Sequence, residues 1–484
     1  MPVDISKEKA RSGLNSGRQK LANKLAVAFT DPHEPMRSRM ATGKAIRDSV
    51  PRISHADFRR VDTVDPLAII VNQTRTRLPQ LVPIRHARML VSPFAFLRGS
   101  AAVMAADLAA SPTTGFAVQA CGDMHVSNFG VYGSAERRLI FAINDFDETI
   151  PGPWEWDVKR LAASAYVACA HLAGKKNDCQ DAAWATVAGY QEHLRRYARM
   201  GYLETWYDCI DSDRVLESLS PGVHDKAHAI LDKARTRTNL QVLEKMTDLI
   251  DDQHRIVENR PFVVRERRTS TGRPIKEALG HFLLSYLNSL APERRVLLSR
   301  YKVLDIARKM VGVGSVGTGC WVVLLEGEDS TDPLFLQIKE AQPSVLTPYL
   351  PPSVQNGNDG QRVVNGQRLI QGSPDIFLGW GELDGTHFYA RQLRDMKGGI
   401  DIEPGEVRPV GFVEYCRLCG WGLALAHAKS GDPAMISGYI GKSDEFVEAI
   451  VRFAGAYADQ TARDYDTLTA AAKNGKLKVA AKGY

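Results

Sequence analysis

The 484-residue sequence lacks any run of about 18 apolar residues, the length a membrane-crossing helix needs, so none is predicted. Its opening stretch, MPVDISKEKARSGLNSGRQK, has no apolar core segment, which argues against a secretory leader and makes the cytoplasm the expected compartment. Cysteine is sparse. The seven residues, at 121, 169, 179, 209, 320, 416 and 419, are odd in number and sit in apolar stretches, as reduced thiols do. Cys416 and Cys419 have C-x-x-C spacing, but no second pair completes a zinc site, and in the helical VEYCRLCGWGLALAHA they read as packing residues. Neither sign of charge dominates. A net +6 from 62 basic and 56 acidic residues demands no nucleic-acid partner and suits an anionic small-molecule site. Basic and aromatic residues do not interleave in the N-terminal stretch, so no nucleic-acid module is expected there. The full G-x-x-x-x-G-K-[ST] pattern is absent, which excludes a Walker phosphate loop, and no internal repeat is present.

With 44% apolar and 24% charged residues, the composition is that of a globular protein able to bury a sizeable core. Four regions differ in character. Residues 1–80 are polar and basic and read as an arm or loose helical layer. In 81–300, SPFAFLRG reads as a short strand and SAAVMAADLAA as a helix, FAVQACGD and LIFAINDFDET read as strands, and helical periodicity follows from 158. In 301–400, CWVVLLEG, PLFLQIKEA, DIFLGWGE and HFYARQLRD read as strands, with QRVVNGQRLIQ a helix between them. Residues 401–484 return to helix. The predicted class is α+β.

One constellation of chemistry-bearing residues is CGDMHVSNFG followed by AINDFDE. Four residues separate Asp123 from Asn128, and Asp145 comes 17 positions later at the end of an apolar strand. Phosphoryl transfer needs such a set: a carboxylate to orient a hydroxyl and accept its proton, and an amide oxygen and second carboxylate to hold Mg²⁺ on nucleotide phosphates. Ordinary turn chemistry also favours Asp, Asn and Gly.

A second constellation is VGVGSVGTGCWVVLLEG with QIK downstream. Gly312, Gly314, Gly317 and Gly319 form a G-x-G-x-x-G-x-G turn between strands, where backbone N–H groups can approach phosphates. A strand rather than a helix follows the glycines, which excludes a Rossmann site. Lys339, on the next apolar strand, can reach α- and β-phosphates.

These motifs resemble known ones. D-x-x-x-x-N, an apolar strand and D-F-D are similar to the catalytic and metal-binding loops of protein kinases. They are closer to those of aminoglycoside phosphotransferases and choline kinases, in which G-D-x-x-x-x-N precedes I-D-[FW]-[DE]. PGPWEWDVKRLA is similar to the G-x-P-x-x-D-L-A segment of those enzymes, with Asp157 at the Asp. The whole chain also resembles a bacterial family carrying R-M-x-x-S-P-F-x-F-x-R-G, G-D-x-H-x-x-N-F-G and N-D-F-D-E, grouped with the kinase-like proteins. The resemblance implies Asp123 as catalytic base, with His125 orienting it or touching substrate. It implies Asn128 and Asp145 as Mg²⁺ ligands with Asp147 as helper, and Asp157 as an anchor of the loop. ATP and Mg²⁺ would be the cofactors and a small molecule the acceptor. Arg98, Arg391, Arg394 and Lys397 are candidates for phosphate or acidic substrate, and His427 reads as a packed helix-end residue.

In kinases the Gly-rich loop precedes the catalytic loop; here it follows by about 190 residues. A bilobal kinase-like fold is therefore expected in circularly permuted order, with 301–400 as the nucleotide-binding lobe and helix 411–429 leading into the catalytic loop. No Glu on the helix DGQRVVNGQRLIQG is there to pair with Lys339, which keeps a non-catalytic nucleotide-binding regulator as an alternative. G-D-x-H also opens metallophosphoesterase loops, but the G-D…D-R and G-N-H-[DE] runs of that class are absent.

Overall fold

Two apolar cores, one mostly helical and one built on a sheet, meet at a cleft in the computed structural model, which describes residues 21, 29–30 and 32–481 except 270, 311, 313, 315, 355–356 and 394–395. The chain is α+β, and its paired strands run antiparallel. Helices α1 (Met36–Ala45), α2 (Val82–Met89), α3 (Pro93–Gly99) and α4 (Ala101–Leu108) precede β1 (Ala117–Ala120), β2 (Phe129–Gly133), β3 (Leu139–Ile143) and β4 (Ile150–Pro153). Next come α5 (Trp154–His171), α6 (Lys176–Tyr197), β5 (Ile210–Asp211), α7 (Asn239–Met246), β6 (Val263–Val264) and α8 (Ile275–Ser289). Strands β7 (Lys302–Lys309), β8 (Cys320–Glu326) and β9 (Pro333–Glu340) lead to α9 (Asp359–Ile370), β10 (Gly379–Leu383) and β11 (Thr386–Gln392). Helices α10 (Pro409–Ser430), α11 (Pro433–Ile440) and α12 (Glu445–Lys473) finish the chain.

The six-stranded sheet has the order β10-β11-β9-β8-β7-β6. Its central strand, PLFLQIKE, is buried at every residue but the last, Gln337 and Lys339 included, because both of its faces are covered. Leu334, Leu336 and Ile338 pack with Phe282 and Tyr286 of α8, while Phe335 on the opposite face packs with Val242 and Leu243 of α7. This sheet therefore draws α7, α8 and β6 to itself, ahead of residue 301 where its composition changes. The other core joins residues 94–234 to 341–457. Helix α10 lies across α6 at backbone contact: a Cβ at Gly420 would overlap the Thr186 carbonyl, and one at Gly189 would come within 2.5 Å of the Arg417 oxygen.

Two expectations change. SPFAFLRG is helix, not strand: Ser92 caps α3 by accepting from the Ala95 N–H at 3.1 Å, and Pro93 occupies the first helical turn, where a missing N–H costs nothing. The described part of residues 1–80 is docked rather than loose. Helix α1 crosses α11 at Gly43 and Gly438, and His55 is fully buried against Tyr439 at 2.7 Å.

A buried acid on α5 gives this core a pH dependence. Glu155 Oε1 accepts from the backbone and hydroxyl of Thr114, both at 2.6 Å, while Oε2 is buried without a partner. Burial raises its pKa to about 7 despite those bonds. A carboxyl raised above its unfolded value costs nothing at low pH, and its cost grows as pH rises through about 7. Glu155→Gln should therefore gain on the wild type, by about 1–3 kcal/mol, between pH 5 and pH 8. Urea unfolding of both proteins at the two pH values checks this; parallel pH dependence would contradict it.

Candidate functional site

Both sequence constellations line one cleft, with Asp123, His125, Asn128, Asp145 and Asp147 on one side and Gly312, Gly314, Thr318 and Glu340 on the other. The first group is positioned by a short chain of local structure. The loop after β1 turns at Gly122, whose φ is +78° and where a Cβ would meet the Glu148 carbonyl oxygen at 2.6 Å, so only glycine fits. Asp157, in the first turn of α5, accepts from the Cys121 and Gly122 N–H groups at 2.6 and 3.0 Å, holding the loop as an anchor. His427 lies behind it, fully buried between Tyr190 at 2.8 Å and Asp157 at 3.3 Å, and so packs rather than reaching the cleft.

The Asp123 carboxylate uses Oδ1 for an ion pair with Arg160 of α5, whose Nε lies at 2.9 Å. Oδ2 lies 3.9 Å from His125 Nε2, beyond hydrogen-bond reach. Burial raises the Asp123 pKa, with Arg160 opposing. Burial, with Arg98 and Arg160 nearby, holds His125 well below its ordinary pKa, so the imidazole is neutral. Asn128 donates its amide to the Asp123 carbonyl at 2.7 Å, leaving its side-chain oxygen for another partner. The β2–β3 hairpin pairs Phe129 with Ile143, and the Asn144 N–H binds the Asn128 carbonyl at 2.8 Å, which brings Asp145 beside Asn128.

Lys339 crosses the cleft. On β9 it sits between Cys320 and Tyr389 in register, and its ammonium forms an ion pair with Asp147. Tyr389 donates its hydroxyl to the other Asp147 oxygen at 2.7 Å. Burial opposes both charges, but the pairing wins: Asp147 is held below the usual carboxylate range and Lys339 well above its ordinary value. Asp147, expected as a metal helper, thus has both oxygens engaged. Glu340 points from the opposite face of β9, where its Oε2 accepts the Gly319 N–H at 2.8 Å. Helix α9 carries no Glu; its Arg362 guanidinium binds the Thr149 and Gln342 carbonyls at 2.7 and 2.6 Å, tying the two sides together. The Gly-rich turn is held from outside: Arg77 Nη1 donates to Val316 O at 2.6 Å, the Leu78 N–H to Gly317 O at 2.8 Å, and Arg88 to Gly312 O.

Among the other candidates, Arg98 reaches the cleft, whereas Arg391 is spent on Asn144 O at 3.1 Å and Gln337 at 3.4 Å. The Lys397 carbonyl accepts from Arg237 at 2.9 Å, and Arg394 lies outside the described residues. Sequence reasoning missed Arg160, although it falls three positions after Asp157 on the same helix face. It also missed Tyr389, which only strand register brings to Asp147. Among the described residues no three His, Cys, Asp or Glu side chains converge as a metal cage, and Cys416 and Cys419 are buried free thiols.

Residues 77–471 match the model of DUF2252, described as an uncharacterized protein conserved in bacteria. The chain belongs to this family. The DUF2252 match runs from Arg77, which holds the Gly-rich turn, into α12, so it takes in every cleft residue named so far. No curated protein and no solved structure matches the chain. No helix among the described residues is long and apolar enough to cross a membrane.

Proposed function

We propose that this chain is an ATP- and Mg²⁺-dependent phosphotransferase of the protein-kinase-like kind, with its two lobes in swapped chain order, acting on a hydroxyl of a small-molecule acceptor. The observation that carries this reading is the Lys339–Asp147 contact. It joins the strand lysine and the D-F-D loop across one cleft although 192 positions separate them. The order of elements supports it. The Gly-rich turn links β7 and β8, the lysine lies on the strand after them, and a helix follows, as in the nucleotide-binding lobe of kinases.

In this reading, Asn128 through its side-chain oxygen and Asp145 through its carboxylate would hold Mg²⁺, which would supply positive charge against the phosphates. Asp123 Oδ2 faces the acceptor hydroxyl and takes its proton. The acceptor oxygen bonds to the γ-phosphorus, the bond from that phosphorus to the β-bridging oxygen breaks, and its electron pair leaves with ADP. Arg160 fixes the other oxygen of Asp123, and neutral His125 adds no competing charge. The cleft encloses about 120 Å³. Pockets for drug-sized ligands run to about 300–1,000 Å³, so binding a whole nucleotide requires the cleft to open. A non-catalytic nucleotide-binding regulator is the second reading, favoured by the Arg160 ion pair on the would-be base and by the lack of a Glu on α9.

Calorimetric titration with ATP, with and without Mg²⁺, tests the binding step. Asp145→Asn should lose about tenfold or more of the Mg²⁺-dependent affinity, as expected for removing a charged ligand, and little of the metal-free affinity. Equal losses in both titrations would contradict a metal role. ADP formation during acceptor screening separates the enzyme from the regulator.

A further inference from the structure

One wall of the cleft is basic and has no counterpart in the phosphotransfer machinery. Arg77, Arg85 and Arg98 line it, all from the segment that precedes the catalytic loop. Arg85 is 1% exposed; its Nη2 binds Gly99 O at 2.8 Å and Gln73 at 3.0 Å, while Nε and Nη1 have no hydrogen-bond partner. Arg77 uses Nη1 on Val316 O and leaves Nε buried and unpartnered, and Arg98 Nε is likewise buried without a partner. Among the described residues none of the three forms an ion pair. Burial lowers the pKa of each, and the Arg77 charge further lowers that of Arg85. Buried guanidinium donors without partners are costly unless an anion completes them.

The location indicates which anion. Asp123 and Asp145 both act on Arg98 electrostatically, and the Arg98 carbonyl lies 3.8 Å from where a Cβ on Gly314 would stand. Arg98 therefore stands by the base and the tip of the Gly-rich turn, the acceptor end of the cleft, and Arg77, on which Glu148, Glu340 and Asp147 act, extends the wall toward the sheet side, where Lys339 stands against Asp147. Guanidinium forks bind carboxylate and phosphate alike, but three of them suit three terminal oxygens better than two. Resting on the phosphotransferase reading, we infer that Arg77, Arg85 and Arg98 form an anion subsite for the acceptor. The acceptor is then a hydroxyl compound that already carries a phosphate monoester.

Calorimetry on the full chain with inorganic phosphate, without nucleotide or metal, tests this, with acetate as the carboxylate control. Wild type should bind phosphate about tenfold or more tighter than acetate, and Arg98→Gln or Arg77→Gln should weaken phosphate by about tenfold each, the scale of one charged hydrogen bond. Arg98→Gln should keep Mg²⁺·ATP affinity within about twofold, and Lys339→Met should keep phosphate affinity. Arg98→Lys, which retains the charge without the fork, covers the case in which Arg98→Gln does not fold, and should also weaken phosphate. The subsite is overturned if wild type binds no phosphate or binds acetate as well. It is equally overturned if Lys339→Met weakens phosphate as the arginine variants do, or if Arg98→Gln loses ATP in step with phosphate, since the wall would then hold the nucleotide's own phosphate. Because the phosphate titration contains neither nucleotide nor metal, its outcome is separate from that of the Mg²⁺·ATP titration above.

Discussion

Asp123→Asn should reduce turnover by at least about 10²-fold, the scale of a lost general base, while Mg²⁺·ATP affinity stays within about twofold. Asparagine is the informative replacement because Arg160 is 2% exposed and needs an acceptor. An alanine would leave that guanidinium buried and unpaired, mixing a folding defect with a chemical one. The amide oxygen of the introduced asparagine can still receive the Arg160 Nε, now 2.9 Å from the carboxylate, so the loop keeps its shape and only proton acceptance is lost. Single-turnover ADP formation is the measurement. Unchanged turnover would remove Asp123 from the mechanism and turn the reading toward a regulator.

Asp147→Ala should destabilise the protein by about 3–5 kcal/mol, the cost of stranding one member of a buried ion pair. The side chains of Lys339 and Asp147 are 5% and 25% exposed, so little water can replace the lost carboxylate. Tyr389 loses the acceptor of its hydroxyl in the same step. Lys339→Met combined with Asp147→Leu removes both charges and should recover most of that stability, because a buried pair exchanged for apolar groups is often neutral. The double variant should nonetheless fail to bind Mg²⁺·ATP. Thermal or urea unfolding of the single and double variants, followed by ATP titration, checks both halves. Full nucleotide affinity in the double variant would remove Lys339 from the site.

The local parts of the site were legible because strand alternation and turn residues are local signals. The strands at FAVQ and LIFAI are such signals, but they do not pair with each other: β1 pairs with β4, and the hairpin partner of β3 is β2, Phe129–Gly133, whose two glycines make it read as turn and which sets Asn128 beside Asp145. The glycine turn between β7 and β8 and the lysine on β9 follow from the same kind of pattern. The partner of Lys339 was not legible. A search for a Glu on the next helix finds none, and the carboxylate that answers comes from a loop in the other half of the fold. SPFAFLRG was misread because its apolar residues suit a strand, yet Ser92–Pro93 is a helix-start signal that outweighs them. Arg77 lies where the sequence is polar, basic and weakly periodic, and Arg85 lies just beyond it. Only the packing of Leu81 and Ile84 against Met310 and Val316 brings those arginines to the cleft.

The α10–α6 crossing has a consequence during synthesis. The face of α6 that receives α10 is complete by residue 197, but α10 is not finished until Ser430. At ribosomal rates of about 5–20 residues per second, that apolar face stands bare for roughly 10–50 s. The sheet between them, with α7 and α8 on its faces, has all its strands by Gln392 and can close first, on a tether of still unpaired chain. The half made first is therefore the half finished last, and in the interval it presents the sticky surface that holdase chaperones recognise.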